Sequence, residues 1–297
     1  MAPPSASTQF VTQAAPELYS QLQALAQEQW MIFLAGLPGM GKSLLIHQLA
    51  HLAHGFGKTV HLLQWDVARP VFEAHPAGQP FPVIDGVTHS VIRKAVGLWA
   101  RAAVAQWAAS HPSRQHLLIG ETPLVGGRLS ELVRPANDTT EPLLTDPSCL
   151  FVIPVPSQEV RQHAEAERAR RIDGSVHARE REDAPPHVML AYWEEVYRLA
   201  QIRGLAPETV SHQGRIPYEP DIYRRFYETL LAHRHLRHLP INTILPTVTF
   251  SVYDFAIPHH HLVPQPDEVV RCVHQVQIAY PDLETLEREA AAWYRVS

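Results

Sequence analysis

Residues 30–50 have the sequence WMIFLAGLPGMGKSLLIHQLA, and this stretch decides the fold. Within it, residues 36–43 (GLPGMGKS) match the pattern G-x-x-x-x-G-K-[ST] at every fixed position. The apolar run before Gly36 predicts a short buried strand, and the run after Ser43 predicts a helix. We therefore expect a strand that passes through a glycine-rich turn directly into a helix.

A turn of this kind can bind anions with its backbone alone. Glycines let the chain curl so that successive N–H groups point inward, and the helix N-terminus adds a favourable dipole. We expect the loop and the first helical turn to hold the phosphates of a nucleotide. The residues concerned are Gly36, Leu37, Pro38, Gly39, Met40, Gly41, Lys42, Ser43 and Leu44.

Lysine is rare in this chain, which makes its presence in the loop informative. Of 25 basic residues only three are lysines, and Lys42 is one of them. A compact ammonium suits the centre of a phosphate cradle, whereas the planar fork of arginine suits bidentate contacts. We predict that Lys42 contacts the β and γ phosphates and that the Ser43 hydroxyl binds Mg²⁺.

Composition limits the class of protein. The chain has 297 residues, of which 45% are hydrophobic and 19% charged, as in ordinary globular proteins. Its net charge of −5 argues against nucleic acid and anionic membranes as partners. Two cysteines give no disulfide framework, and neither a signal peptide nor an apolar run of about 18 residues is evident. These features predict a cytoplasmic protein, and a homodimer is left open.

Strands that alternate with helices predict a single α/β core. We predict a disordered N-terminal segment over residues 1–15, a core over 16–256 and a helical C-terminal extension over 257–297. The sheet is expected to be mainly parallel, with about five strands and helices on both faces. We predict the fifth strand of this sheet within residues 241–255. Residues 71–86 are predicted to be irregular.

Two acids follow predicted strands, Asp66 after the second and Glu121 after the third. Ligands of parallel sheets sit at the carboxyl ends of the strands, where the loop also lies. The apolar run before Glu121 has the form of a Walker B element, so we expect Glu121 to orient Mg²⁺. Asp66 has four interpretations: a base for an acceptor hydroxyl, a Mg²⁺ ligand, a contact to a substrate group, or the N-cap of the next helix.

An arginine-rich segment follows the fourth predicted strand. Residues 157–183 contain six arginines with interleaved acids, and we predict a lid at about 157–187. A mobile arginine can stabilise a transferring phosphoryl group, and Arg168 and Arg171 are favoured for this role. The alternative is a solvated helix with pairs of opposite charge. The turn at residues 126–128, and Arg93 and Arg101 on the long preceding helix, are further candidates for contact with an acceptor.

Histidine is abundant, with 19 residues in the chain. His47, His51 and His54 share one face of a predicted helix, and residues 259–261 form a run. Neither group has a cysteine or an acid at the spacing of a zinc site. We therefore expect surface histidines at these positions.

Taken together, the loop, Asp66, Glu121 and the arginine-rich segment resemble the P-loop NTPases, most closely the P-loop kinases of nucleotides, nucleosides and small molecules. The resemblance implies a three-layer fold with a five-stranded parallel sheet, an arginine-bearing lid and a separate acceptor site. The chain departs from nucleotide kinases because it lacks D-G-[FY]-P-R after the third strand. It also lacks the N-K-x-D signature of GTP-specific switch proteins and the arginine-finger and sensor patterns of ring ATPases.

These features predict a Mg-ATP-dependent kinase that acts on a small hydroxyl- or phosphate-bearing acceptor. Its catalytic residues would be Lys42, Asp66, Glu121, Arg168 and Arg171, and its metal ligands Ser43, Glu121 and Asp66. One alternative is a switch that binds or hydrolyses nucleotide and acts through a protein partner. Another is a sulfotransferase-like use of the loop.

Overall fold

The computed structural model describes residues 10–84, 86–171, 184–208, 216–246 and 257–296. This part of the chain forms an α/β fold with six parallel strands flanked by helices. The strands are β1 Met31–Ala35, β2 Thr59–Leu63, β3 His116–Thr122, β4 Cys149–Pro156, β5 Leu236–Ile241 and β6 His260–His261. The helices are α1 Pro16–Glu28, α2 Lys42–Gly55, α3 Trp65–Ala74, α4 Ser90–Ser110, α5 Glu141–Leu144, α6 Gln158–Arg171, α7 Pro186–Ile202, α8 Pro220–Leu230, α9 Pro266–Ala279 and α10 Leu283–Ala291.

The order of the strands places β1 at the centre of the sheet. From edge to edge the order is β5-β4-β1-β3-β2-β6, and every neighbouring pair is parallel. On β1, Leu34 lies between Glu121 of β3 and Val152 of β4. The chain passes from β1 to β2 on one side of β1 and from β4 to β5 on the other, so the connections that follow the neighbouring strands β1 and β4 lead in opposite directions. Crevices form at such points outside the carboxyl ends of the strands, and the loop after β1 lies at this one.

Two apolar layers hold the sheet between helices. Ile32 and Leu34 of β1 pack in the layer that contains α1 and α2. Met31, Phe33 and Ala35 point to the opposite layer, which is formed mainly by α3, α4 and α7–α10. Covering both faces of a strand buries nearly all of its side chains, and this explains the apolar sequences of β1, β4 and the central part of β3.

The predicted position of the fifth strand was wrong. Helix α8 ends at Leu230, and β5 occupies Leu236–Ile241, so only Ile241 falls within the segment that was predicted to contain this strand. β5 is an edge strand, so it tolerates charged residues and Pro240, which lack the signature of a buried strand. The remainder of the predicted segment, residues 247–255, lies outside the described residues.

Parts of two segments that were predicted to lack regular structure are helical, although residues 75–83 contain only turns, bends and irregular backbone, as predicted. Residues 11–14 form a 3₁₀ turn, and the Thr12 hydroxyl donates to Gln48 Oε1 of α2 at 2.9 Å. The prediction of disorder was therefore wrong for residues 10–15, whereas residues 1–9 lie outside the described part. The segment predicted to be irregular over 71–86 begins inside α3, which continues through Pro70 to Ala74.

The C-terminal segment is mostly helical, as predicted, but it also supplies β6 to the edge of the sheet. Helices α9 and α10 pack on α4 and contribute Val269, Val273 and Leu286 to the core. In the described part of the chain, no helix combines the length and the apolar character needed to cross a lipid bilayer.

Candidate functional site

The loop between β1 and α2 has a shape that requires glycine. Gly36, Gly39 and Gly41 have φ of +141°, +76° and +83°, which side chains rarely adopt. A Cβ on Gly36 would lie 2.2 Å from the Tyr223 hydroxyl, and one on Gly39 would lie 2.1 Å from Met189 Cε. The loop is therefore curled and tightly packed against α7 and α8.

The curl leaves a row of backbone amides without carbonyl partners. The amide of Leu45 makes the first helical hydrogen bond of α2, to the carbonyl of Gly41 at 3.0 Å. The amides of Lys42, Ser43 and Leu44 precede this bond, and those of Gly39, Met40 and Gly41 donate to no carbonyl of the described residues. Together they form a concave set of donors at a helix N-terminus, the arrangement that binds phosphate.

The ammonium of Lys42 lies within this loop. Its Nζ donates to the carbonyls of Gly36 and Leu37, each at 2.9 Å, and the side chain is only 8% exposed. Burial lowers the pKa of Lys42, and the nearby carboxylate of Glu121 opposes this effect. The amine is thus held by neutral acceptors that phosphate oxygens could replace.

A cavity of about 370 Å³ opens beside the loop, within the size range of small-molecule sites. It lies at the carboxyl ends of the central strands. It is lined by Pro38, Gly39, Gly41, Lys42, Ser43, Leu44, Trp65, Asp66, Gly86, Glu121, Pro123, Arg128, Arg168, Ala184, Pro185, Val188 and Tyr192. The site residues that we predicted from the sequence, and whose side chains the structure describes, therefore line this cavity. The exceptions are Gly36, Leu37 and Met40, which support the loop.

Glu121 is the buried acid of the cavity. Its Oε1 accepts a hydrogen bond from the backbone amide of Trp65 at 3.0 Å. Burial raises the pKa of Glu121, the neighbouring Asp66 carboxylate raises it further, and Lys42 opposes both. A cation beside these carboxylates would offset their repulsion.

Asp66 lies at the second position of α3 and is exposed to the cavity. The N-cap of α3 is Gln64, so the interpretation of Asp66 as a helix cap was wrong. With Glu121 and the Ser43 hydroxyl, Asp66 supplies hard oxygen atoms of the kind that Mg²⁺ prefers. The residues present therefore fit a magnesium ion.

Two arginines line the cavity from different elements. Arg168 comes from α6, as the sequence predicted. Arg128 follows the turn at Val125–Gly127, and its guanidinium lies 5.5 Å from the Tyr192 ring. The Nη2 of Arg128 is buried and has no hydrogen-bond partner among the described residues. In the sequence Arg128 was only a secondary candidate for contact with an acceptor. It was noticed because the preceding pair Gly126-Gly127 indicates a turn.

The remaining arginine candidates have other positions. The Arg171 side chain and residues 172–183, which make up much of the predicted lid, lie outside the described part of the chain. Arg93 donates to the carbonyl of Gly126 at 2.6 Å and so supports the turn before Arg128. Arg101 binds Asp138 and Glu141, which do not line the cavity, so its suggested role as an acceptor contact is not supported.

Arg161 was not singled out by sequence, yet it fixes the back of the loop. Its side chain is 1% exposed, and Nη1 donates to the carbonyl of Pro38 at 2.6 Å. Nη2 donates to the carbonyl of Met189 at 3.3 Å, and Nε to Glu165 at 2.8 Å. The arginine-rich segment gives no signal that this one member points inward, because burial depends on how α6 packs on the loop.

The histidines of α2 are not at the surface as predicted. His47 and His51 are each 4% exposed, and only His54 faces solvent. Burial, with a smaller effect of His47, lowers the pKa of His51 to about 4. These side chains pack near Phe10 and α1, so the N-terminal segment covers the face that was expected to be exposed.

We compared the chain with known proteins, and no family model, curated protein or solved structure matches it.

Proposed function

We propose that this protein is a Mg-ATP-dependent phosphotransferase that acts on a small hydroxyl- or phosphate-bearing acceptor. One observation carries the proposal. A single cavity brings together a row of unpartnered amides, a buried lysine, two acids and two arginines. Phosphoryl transfer depends mainly on positioning and on stabilising negative charge, and these groups supply both.

Each group has a defined role in this proposal. The loop amides and Lys42 bind the β and γ phosphates, and Lys42 exchanges its two carbonyl partners for phosphate oxygens. Ser43 and Glu121 hold Mg²⁺, which neutralises charge on the phosphates when bound. Asp66, exposed in the cavity, orients the acceptor hydroxyl and can accept its proton.

The acceptor is inferred from Arg128, which lines the cavity beside the Tyr192 ring. Its Nη2 has no hydrogen-bond partner among the described residues. A guanidinium favours bidentate contact with phosphate or carboxylate groups. An anionic small molecule is therefore the favoured acceptor, and Arg168 lies where it can steady the transferred group.

The direct test measures ADP release by purified protein with Mg-ATP. The protein is assayed alone and with pools of nucleosides, nucleotides, sugars and amino-alcohols. Lys42→Ala should lower acceptor-dependent release by roughly 100-fold or more, because it removes the charge at the phosphates. Arg170→Ala, at an exposed position of α6, is the control and should retain activity. Full activity in Lys42→Ala would rule the proposal out.

A nucleotide-dependent switch is the second candidate, because α10 contacts the turn that precedes Arg128. A Cβ on Gly127 would lie 3.5 Å from Ala290 of α10, and Arg93, which supports the same turn, pairs with Glu287 at 3.6 Å. A change at the phosphates can thus reach the C-terminal helices. Slow hydrolysis without any acceptor, and a partner whose affinity depends on the bound nucleotide, would favour this candidate.

A further inference from the structure

Three histidines meet far from the cavity, near the amino ends of β2 and β3. They are His61 on β2, His111 directly after α4, and His116 at the start of β3. One nitrogen from each lies within 4.8 Å of the others, and His61 Nε2 is 3.1 Å from His116 Nδ1. The loop lies at the opposite, carboxyl ends of these parallel strands, so the cluster is separate from the nucleotide site proposed above.

A hydrogen bond to the backbone orients one ring of the cluster. His111 Nδ1 lies 3.0 Å from the carbonyl of Trp107, and a carbonyl can only accept, so Nδ1 carries the proton. Nε2 of His111 therefore has a free lone pair. Histidines that bind metals commonly donate their other ring nitrogen in this way, which fixes both tautomer and orientation.

The surroundings favour imidazole in its metal-binding form. His61 is 6% exposed, and Trp107 packs against both His61 and His111, with ring centroids 5.6 Å away in each case. Three imidazoles this close cannot all be positively charged imidazolium ions without strong repulsion. Neutral imidazole is the form that coordinates a metal.

We propose that His61, His111 and His116 form a binding site for a divalent transition-metal ion, with Zn²⁺ as the favoured ion. Zinc–nitrogen bonds of about 2.0–2.1 Å in a tetrahedron place ligand nitrogens roughly 3.3 Å apart. The 3.1 Å between His61 Nε2 and His116 Nδ1 is already close to this value, and no separation in the cluster exceeds 4.8 Å. Imidazole favours zinc, copper and nickel over the hard Mg²⁺ ion, so the site is distinct from the carboxylates of the cavity.

A fourth histidine stands beside the cluster. His260 on β6 is paired with His61 across the strands, and their rings are 5.3 Å apart. Because His260 is exposed, it can turn toward the ion, or leave the fourth position to water. In either case the ion would link β2, β3 and the end of α4 at the edge of the sheet that β6 completes.

The test titrates Zn²⁺ into the full chain after treatment with a chelator. Calorimetry at neutral pH with excess Mg²⁺ should give one zinc ion per chain, and Co²⁺ should give the visible absorption of a tetrahedral nitrogen site. His111→Gln and His116→Gln change partly exposed side chains and should each weaken zinc binding by on the order of 100-fold. His274→Gln, at an exposed position of α9, is the matched control and should bind zinc normally.

Zinc should also raise the midpoint of thermal unfolding of the wild type, because it binds the folded chain. The proposal is overturned if the wild-type protein shows neither stoichiometric zinc binding nor the cobalt spectrum. This part of the test requires no variant. It is equally overturned if both variants bind zinc as tightly as His274→Gln does. Loss of binding in His259→Gln alone would place the ion at the neighbouring His259–His261 pair instead.

Discussion

Glu121, the next-to-last residue of β3, is a buried carboxylic acid whose pKa lies above its ordinary value of 4.5. Burial is the main cause, and the repulsion of Asp66 adds to it. Protonation would remove the charge that Mg²⁺ requires, since a neutral carboxylic acid is a poor ligand for a hard cation. The protonation of this single side chain is therefore coupled to the proposed reaction.

Turnover should consequently fall on the acid side of neutrality. As pH decreases through the raised pKa of Glu121, the carboxylate gains a proton and the proposed Mg²⁺ site is lost. Glu121→Gln keeps an oxygen for the Trp65 amide but lacks the charge, so it should lower kcat by about 100-fold or more. Profiles of kcat/KM over about pH 5 to 9 would test this. A Glu121→Gln variant with wild-type activity and the same decrease of kcat/KM at acid pH would contradict the proposed role of Glu121.

Gly39 provides a test of the loop shape. Gly39→Ala would place its Cβ 2.9 Å from Arg161 Nη1 and even closer to Met189 at an unfavourable φ, so the loop must shift. We expect nucleotide affinity to fall at least about tenfold, because the amides lose their alignment. Gly55→Ala, at the end of α2 with no heavy atom within 4 Å, is the control. Calorimetric titration with Mg-ATP compares the two, and equal affinities would contradict the proposed cradle.

At this scale the sequence predicted much of the site, and the reason is physical. The spacing of Gly36, Gly41, Lys42 and Ser43 is local, so the loop can be recognised without the fold. Glu121 was found because a parallel sheet brings strand ends to one edge. Arg161 and Arg128 act through contacts with elements distant in sequence, and no local pattern marks those contacts.

Helix α6 connects the back of the loop with the cavity. Arg161 in its first turn binds the carbonyl of Pro38, and Arg168 lies seven positions later, about two turns along the helix. The first arginine is buried, and the second lines the cavity. A shift of α6 would therefore move the loop and Arg168 together.

Arg168→Ala should lower kcat more than it changes the KM for ATP. The expected loss is about 10- to 1000-fold, because the guanidinium would act mainly on charge that develops during transfer. Arg170→Ala is the matched control, since Arg170 lies on the same helix, is 67% exposed and does not line the cavity. Steady-state kinetics would measure kcat and the KM for ATP of both variants. Equal kinetic constants in the two variants would remove Arg168 from the proposed mechanism.

The elements themselves were predicted unevenly. Strands β1, β3 and β4 are covered on both faces, and their apolar runs revealed them. β5 and β6 lie at the edges of the sheet, where a strand needs little apolar surface, and no comparable apolar run marks them in the sequence. The last turn of α3, residues 71–74, was predicted to be irregular because the segment 71–86 is rich in proline.

Across the whole molecule, a cluster of charges joins the C-terminal helices to the core. Glu289 of α10 accepts hydrogen bonds from Lys94 of α4, at 2.7 Å, from Arg134 and from Tyr280. Burial alone would raise the pKa of Glu289, but the bonds from Lys94 and Tyr280 outweigh it and lower the pKa to about 2. The ionised carboxylate thus helps to hold α10 against α4 and the turn before Arg128.

Glu289→Gln should lower the free energy of unfolding by about 2 kcal/mol at neutral pH, because it leaves the buried cations with fewer partners. The native pKa lies below the ordinary 4.5, so this contribution is complete above pH 4.5 and is lost as pH falls toward 2. Denaturant unfolding at several pH values would measure it. Glu284→Gln, exposed on α10, should have little effect at any pH. A constant difference between Glu289→Gln and wild type down to pH 2 would contradict this account.

The central position of β1 also has a consequence for synthesis on the ribosome. β1 leaves the exit tunnel early, but its neighbour β3 follows only after three helices, α2, α3 and α4, and the strand β2, and its other neighbour β4 follows after the short α5 as well. Its wholly apolar segment, Met31–Ala35, therefore stays without strand partners during much of translation. Non-local pairing of this kind slows folding and exposes the chain to aggregation. The nascent chain should depend on chaperones that shield this strand until β4 has emerged.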